Sequence, residues 1–417
     1  MTTESTVPAT IRTTRPKLPW VSYTMPKAEM HVHISLALSS EMFIRRVKEK
    51  RTPLDTNFLI TRDKRYYEHL QDFHGTYESM RHITSNEREL AEVAQNYLQR
   101  IAREGCIYSE ISISYRPGAH FEKQIAALSA AIDSARHNSG IEARLVVTSL
   151  RDAGAEVAEA AVKHVMALKS PYITAFGLVG NEASNPMSIF KRAMHMAWND
   201  AGLGLVPHVA EQRIENAIDF LSAIPKEALN NSRKDHRKLR AGHGTLIHRS
   251  EELMKCFADH AICLEVCLSA NNRIGVPGSL ATGHKDGKAY SKNRKTSVHL
   301  DHSLSSYFRN LNHHPLPIFL AKKIPVCLGS DNPLLMNTNI GKEYSLSRQY
   351  GGCTEEECLG FTRNAVAYAN VDAMTEKRLN TLIDKYENAI KTGQTPQETA
   401  LGYRDAMPVQ HTRQPRP

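Results

Sequence analysis

Five polar residues stand where short apolar runs end, and their types suit metal-assisted hydrolysis. His31 and His33 close the run AEMHVHI (28–34), His208 closes LGLVPHVA (203–210), His243 closes RAGHG (240–244) and Asp331 closes PVCLGSD (325–331). In a β-strand, residues i and i+2 point to the same side, so His31 and His33 can offer two imidazoles to one ion. Three histidines and one carboxylate suit zinc and leave room for a water. An isolated His-x-His is more often a hydrogen-bonded core pair. Four candidate ligands at the ends of three separate strands are hard to reconcile with packing, because each buried polar group needs its own partner.

Glu211 follows His208 by three residues and can stand beside such an ion without ligating it. The same position also suits a helix-start glutamate favoured by the macrodipole. His243 lies between Gly242 and Gly244. Those glycines allow either a close approach or a plain tight turn. His74, His195, His248, His299 and His302 have no strand-end partners and read as ordinary polar or core residues.

Such a set needs a scaffold that brings distant strand ends together. Besides the four runs above, CIYSEISIS (106–114), EARLVVTSL (142–150), ITAFGLVG (173–180) and CLEVCLSA (263–270) read as strands. That makes eight, separated by stretches of helical period. The predicted class is therefore α/β, a (β/α)8 TIM barrel with its chemistry at the C-terminal strand ends. After the fifth strand, Ile214, Ala217, Ile218 and Leu221 form a stripe expected to pack on the barrel. Thr84 with Glu87, and Thr354 with Glu357, read as capping-box helix starts. The stretch 39–104 exceeds one crossover and predicts a helical cap between strands one and two.

The chain has 417 residues, 41% of them hydrophobic, and one barrel domain over 21–392 is expected, with a basic tail at 1–20 and a flexible tail at 393–417. The opening residues lack an apolar signal core and no apolar run is long enough to span a membrane, which predicts a cytoplasmic protein with no membrane partner. The seven cysteines show no CxxC spacing and read as reduced. The net charge of +9 favours anions, although Arg12, Arg15, Lys17, Arg413 and Arg416 place part of it in the tails. Base-flipping zinc deaminases carry an HxE followed by a PCxxC, and no such combination occurs here, so no nucleic acid is expected.

Across about Lys27 to Ile390 the chain resembles the adenosine deaminase family of the amidohydrolase superfamily. The similar blocks are KAEMHVHISLALSSE (27–41), the cap region 69–105, AFGLVGNE (175–182), PHVAE (207–211), RAGHGTLI (240–247), LEVCLSANNRIG (264–275), HHPLPIFLAKKIPV (313–326), GSDNP (329–333) and TEEECLGFTRNAV (354–366). The resemblance implies one zinc per chain on His31, His33, His208 and Asp331. It implies that Glu211 protonates purine N1, that His243 orients the attacking hydroxide, that Asp331 takes a proton from the water, and that Gly180 meets the purine from the backbone side. Zinc lowers the pKa of bound water towards about 7, so hydroxide can attack C6 and expel ammonia.

Departures from the family pattern fall at the substrate end. Ser35 stands where an acidic residue meets the ribose side, with Leu36 in place of a glycine; Asn332 replaces the second aspartate of a pair, and Ala210 the glycine before Glu211. The AMP deaminase branch also lacks the acid at the Ser35 position, and NTNIGKEYSLS (337–347) is similar to that branch. A basic insertion at 276–306, with Lys285, Lys288, Lys292, Arg294 and Lys295 against Asp286, either meets a phosphate or is solvated surface. The expected substrate is an adenosine-like nucleoside, with an AMP-like nucleotide or a modified purine as the alternative, and homo-oligomerisation is left open. Two other readings are hydrolysis of a cyclic amide or ester at the same zinc, and a zinc barrel that binds purines without catalysis.

Overall fold

The computed structural model describes residues 24–52, 70–117, 120–230, 237–277, 307–308 and 311–394. The expected tails lie outside these residues except at 393–394, as does nearly all of the basic insertion, including its five cationic residues.

Eight parallel strands form a TIM barrel: β1 (Lys27–His33), β2 (Cys106–Ser114), β3 (Glu142–Leu150), β4 (Ile173–Val179), β5 in two pieces (Gly204–Leu205 and His208–Val209), β6 (Arg240–His243), β7 (Cys263–Val266) and β8 (Val326–Leu328). Each neighbours the next in chain order. The break in β5 has a local cause. Pro207 has no amide hydrogen to give to a ladder, so the first piece pairs with β4 and the second with β6. A parallel bridge between Val32 and Asp331 joins β1 to the end of β8, with Asp331 N donating to His31 O at 2.7 Å and His33 N to Asp331 O at 2.8 Å. The first and last candidate ligands are thereby held by backbone.

All seven residues of β1 are buried, as expected for a strand covered on both faces. The covering helices show the complementary pattern. In Glu87–Arg103, Leu90, Val93, Ala94, Tyr97, Leu98 and Ile101 fall on one buried face that packs on β2 and on the helix Phe121–Ser139. Full burial of a Leu or Ile side chain contributes about 1.5–3 kcal/mol. This helix is thus the first crossover of the barrel. Over the mouth stands the shorter Leu70–Arg81, reached from the β1 side after Ser40–Glu49.

Three local expectations change. The helix Glu215–Ala223 buries Asn216, Ala217, Phe220 and Ala223, with Phe220 against Phe257, and leaves Ile218 60% exposed. The start near Thr84 is capped by Asn86, whose side chain accepts from Glu89 N, while Thr84 closes a preceding 3-10 turn. The seventh strand ends at Val266, and Leu268–Ala270 turns into a helix followed by a π-helical turn, Asn271–Gly275. The capping box of Thr354 and Glu357 forms as expected. All seven cysteines are free. Among the described residues no helix is long and apolar enough to cross a membrane.

Candidate active site

The strand ends place His31, His33, His208, Glu211, His243 and Asp331 around one point at the barrel mouth. Within the groups His31–His33–His208, His31–His243–Asp331 and His208–Glu211–His243, the candidate ligand atoms lie within 4.8 Å of one another, all on buried residues. Three of the strand-end residues, Ala210, His243 and Asp331, take left-handed backbone, with φ of 51°, 62° and 59°. Each such non-glycine residue costs on the order of 1–3 kcal/mol, and that strain concentrates where side chains must be aimed.

His31 is fixed from behind. Its Nδ1 lies 2.7 Å from Glu265 Oε2, and Glu265 Oε1 accepts from Arg240 Nε at 2.6 Å. Arg240 in turn pairs with Glu110 and donates to Tyr368 O. Burial alone would depress His31, but the hydrogen bond to Glu265 and its charge prevail and raise it. With Nδ1 committed, Nε2 of His31 faces the centre. It is buried without a hydrogen-bond partner among the described residues, as is His208 Nε2. Asp331 Oδ1 lies 3.3 Å from His33 Nε2 and 3.9 Å from His31 Nε2. Two orphaned imidazole nitrogens facing a third imidazole and a carboxylate are what a cation site requires, and a divalent metal fits these donors.

Gly242 lies behind this cluster. A Cβ on it would stand 2.9 Å from His31 Cε1 and 3.1 Å from His208 Cδ2. Of the two readings of this glycine, the close approach is the observed one, and what approaches is a pair of candidate ligands.

Beside the cluster, Glu211 places Oε1 3.7 Å from His243 Nε2 and Oε2 3.7 Å from His208 Nδ1. Its backbone N–H and that of Gln212 donate to Glu182 Oε2, both at 3.1 Å, which holds the turn. Burial, reinforced by the charges of Glu182 and Asp331, raises the Glu211 carboxyl well above the usual range, which favours its protonated form. His243 moves the opposite way, lowered to about 3, first by burial and then by His31. Burial and the neighbouring imidazoles likewise keep His208 neutral. Asp331 stays ionised because its hydrogen bond and charge pairing with His33 outweigh burial.

A cavity of about 590 Å³ opens from this centre. Gly180 and Asn332 line it. Asn332 Nδ2 donates to Asp331 Oδ1 at 2.8 Å, and its own Oδ1 is buried without a partner among the described residues. Ser35 is not in the wall but bonds to Tyr77, which is. Sequence reasoning missed several other wall residues: Phe73, His74, Tyr77 and Arg81 on Leu70–Arg81, and Ser114, Arg116 and Asp152 near the ends of β2 and β3. His74 lacked strand-end partners because a capping helix supplies it. Arg116, two residues past the end of β2, was a signal available in the sequence.

The family model for adenosine deaminase matches residues 26–283 and 295–386. An adenine deaminase from Sinorhizobium fredii is 27% identical over 361 residues, covering 85% of this chain and 97% of the relative. Among solved structures, adenine deaminase from Arthrobacter aurescens superposes with a TM-score of 0.69 at 21% identity, over 88% of this chain and all of that one. The Arabidopsis N6-mAMP deaminase MAPDA does so with 0.68 at 17% identity, over 87% and 98%. An amidohydrolase from Burkhoderia ambifaria with bound Zn gives 0.65 at 17% identity, over 92% and 93%. At these identities the superpositions establish the shared fold.

Proposed function

The chain belongs to the adenosine deaminase family, and on that premise we propose that it is a zinc-dependent cytoplasmic enzyme that hydrolytically deaminates a 6-aminopurine at C6. The observation that carries this reading is the side-by-side placement of Glu211, whose carboxyl burial raises, and the cluster of His31, His33, His208 and Asp331 with its two orphaned nitrogens. Those four residues would hold zinc, which when bound supplies an activated water near neutral pH. Glu211 donates its proton to purine N1, drawing electron density from C6. Asp331 accepts a proton from the attacking water, and His243 faces the oxygen that adds to C6. The C6–N6 bond then breaks, the amine leaves with the proton Asp331 took up, and the hydroxyl proton at C6 passes back to Glu211 as the 6-oxopurine forms. The backbone at Gly180, together with Asn332 and the Ser35–Tyr77 pair, borders the substrate.

At about 590 Å³ the cavity is of a size that encloses a whole small ligand, which supports an adenosine-like nucleoside as substrate. A second reading, a nucleotide, draws on Arg81 and Arg116 in the wall and on the N6-mAMP deaminase among the structural neighbours. The name of the Sinorhizobium relative adds free adenine to the panel.

The test is zinc content together with amine release from adenine, adenosine, deoxyadenosine, AMP and their N6-methyl forms, with wild type compared against Glu211→Gln. About one zinc per chain, and release from one panel member that is abolished in Glu211→Gln with zinc retained, is the expected result. Zinc without release from any member would move the reading to a purine-binding barrel. Absence of zinc would refute it.

A further inference from the structure

Behind His243, on the side away from the cavity, a chain of buried hydrogen bonds determines which ring nitrogen carries its proton. The chain starts at an unambiguous donor. Leu316 N, at the start of the helix Leu316–Ala321, is one of the amides that a helix leaves without an internal partner, and it donates to His314 Nδ1 at 3.1 Å. A ring nitrogen that accepts is unprotonated, so the proton of His314 lies on Nε2, which donates to Asn271 Oδ1 at 3.3 Å. With its carbonyl used as acceptor, Asn271 turns its amide to His243, Nδ2 donating to Nδ1 at 3.2 Å. The reverse amide orientation would face a donor with the proton on His314 Nε2. His243 Nδ1 therefore accepts, and its only proton is on Nε2, the nitrogen 3.7 Å from Glu211 Oε1.

We propose that Asn271 and His314 are positioning residues that hold His243 as its neutral Nε2–H tautomer, so that it presents a hydrogen-bond donor, not a base, to the oxygen added at C6. A fixed donor aimed at developing negative charge stabilises the transition state without reorganising. All three side chains are buried. Asn271 sits in the π-helical turn after β7, and His314 in the segment leading to the helix before β8, so the two ends of the β7–β8 connection meet behind a residue of β6.

The kinetic consequence rests on the deaminase reading, whereas the tautomer does not. Long-range 1H–15N spectra of zinc-loaded protein with labelled histidine, assigned with His243→Gln and His314→Gln, should show both rings neutral and protonated at Nε2. Asn271→Asp can only accept, so it should move a proton to His243 Nδ1. It should also lower kcat by about 10²–10⁴-fold, the range for a mis-set catalytic imidazole, with zinc content unchanged. His314→Leu frees the amide to rotate and should lose at least about tenfold in kcat, of which His314→Gln, which keeps a donor towards Asn271 Oδ1, should recover most. A wild-type spectrum with His243 protonated at Nδ1 overturns the proposal even if the enzyme deaminates. An Nε2–H spectrum with no turnover of any purine would leave the tautomer standing and remove the deaminase reading. Should Asn271→Asp fail to fold, the wild-type spectrum decides.

Discussion

Gly242→Ala is the substitution whose effect can be worked most directly from the structure. The added methyl carbon would stand 2.9 Å from His31 Cε1 and 3.1 Å from His208 Cδ2. Ordinary carbon contacts begin near 3.5 Å, so the two shortfalls are about 0.6 and 0.4 Å. Both residues are restrained. His31 is held by Glu265 at 2.7 Å, and the backbone of His208 by Arg151, which donates to its carbonyl at 2.7 Å. The rings must therefore separate by roughly half an ångström, the tolerance within which a metal or catalytic constellation works. Overpacking of this kind costs about 1–3 kcal/mol in stability. Disturbed ligand orientation should weaken zinc by about 10–100-fold, with a further loss in kcat. The assay is competition for zinc against a chelator, alongside kcat/KM and a melting curve. A Gly242→Ala protein that binds zinc and turns over like wild type would refute the placement of His31 and His208 as paired ligands.

Other outcomes are set by the same geometry. Glu211→Gln, which cannot transfer a proton to N1, should lower kcat by about 10²–10⁴-fold with zinc retained, as read by steady-state amine release. Glu265→Gln removes the carboxylate behind His31 Nδ1 while nearly keeping its shape, and should weaken zinc about 10–100-fold in the same chelator competition. His248 is buried and lowered to about 4, mainly by burial, so its contribution to folding is complete above the unfolded value near 6.5 and is lost as pH falls from there towards about 4. His248→Gln should remove about 2–3 kcal/mol of the acid destabilisation between pH 7 and 4, measured by urea unfolding across that range. An unchanged pH dependence would show that His248 is not held neutral by the fold.

The gathering of the candidate ligands was legible because two simple rules act together on it. Period two puts His31 and His33 on one side of a strand, and a parallel barrel gathers the strand ends, so residues 300 positions apart could be placed together from their positions alone. The residues that escaped depended on contacts between elements. His74 reaches the cavity from a helix laid over the mouth, and no periodicity announces where a cap helix will lie. Asn271 directly succeeds CLEVCLSA, an apolar run that reads as one strand to its end, whereas the chain leaves extended conformation after Val266 and carries Asn271 into a helical turn. Of the predicted stripe, Ile214, Ala217 and Leu221 pack against the core and Ile218 turns out to the surface. Ala217 and Ala223 allow close approach and Phe220 fills the space, so the helix turns its small face inward. Ala210 read as a minor departure from glycine, and only the fold shows that it adopts a φ of 51° beside Glu211.

The protonation states around the centre arise from burial and from one another, and together they prepare it for both ligands. Asp331 is the residue whose charge is secured, because His33 lies 3.3 Å from it. Burial, with Glu182 and Asp331 adding to it, makes ionising Glu211 in the same space costly and raises its carboxyl well above the usual range. His208 and His243 cannot charge beside neighbouring imidazoles, so their lone pairs and N–H groups stay available. A secured carboxylate beside the lowered imidazoles of His208 and His243 attracts a dication without a proton to expel from either ring. A neutral carboxyl beside it can donate to a ring nitrogen that a carboxylate would repel. The same burial that makes these residues expensive to fold thus sets the acid and the candidate ligands apart, and Glu182, outside both the cluster and the cavity wall, contributes by raising Glu211 and by holding its backbone turn at 3.1 Å.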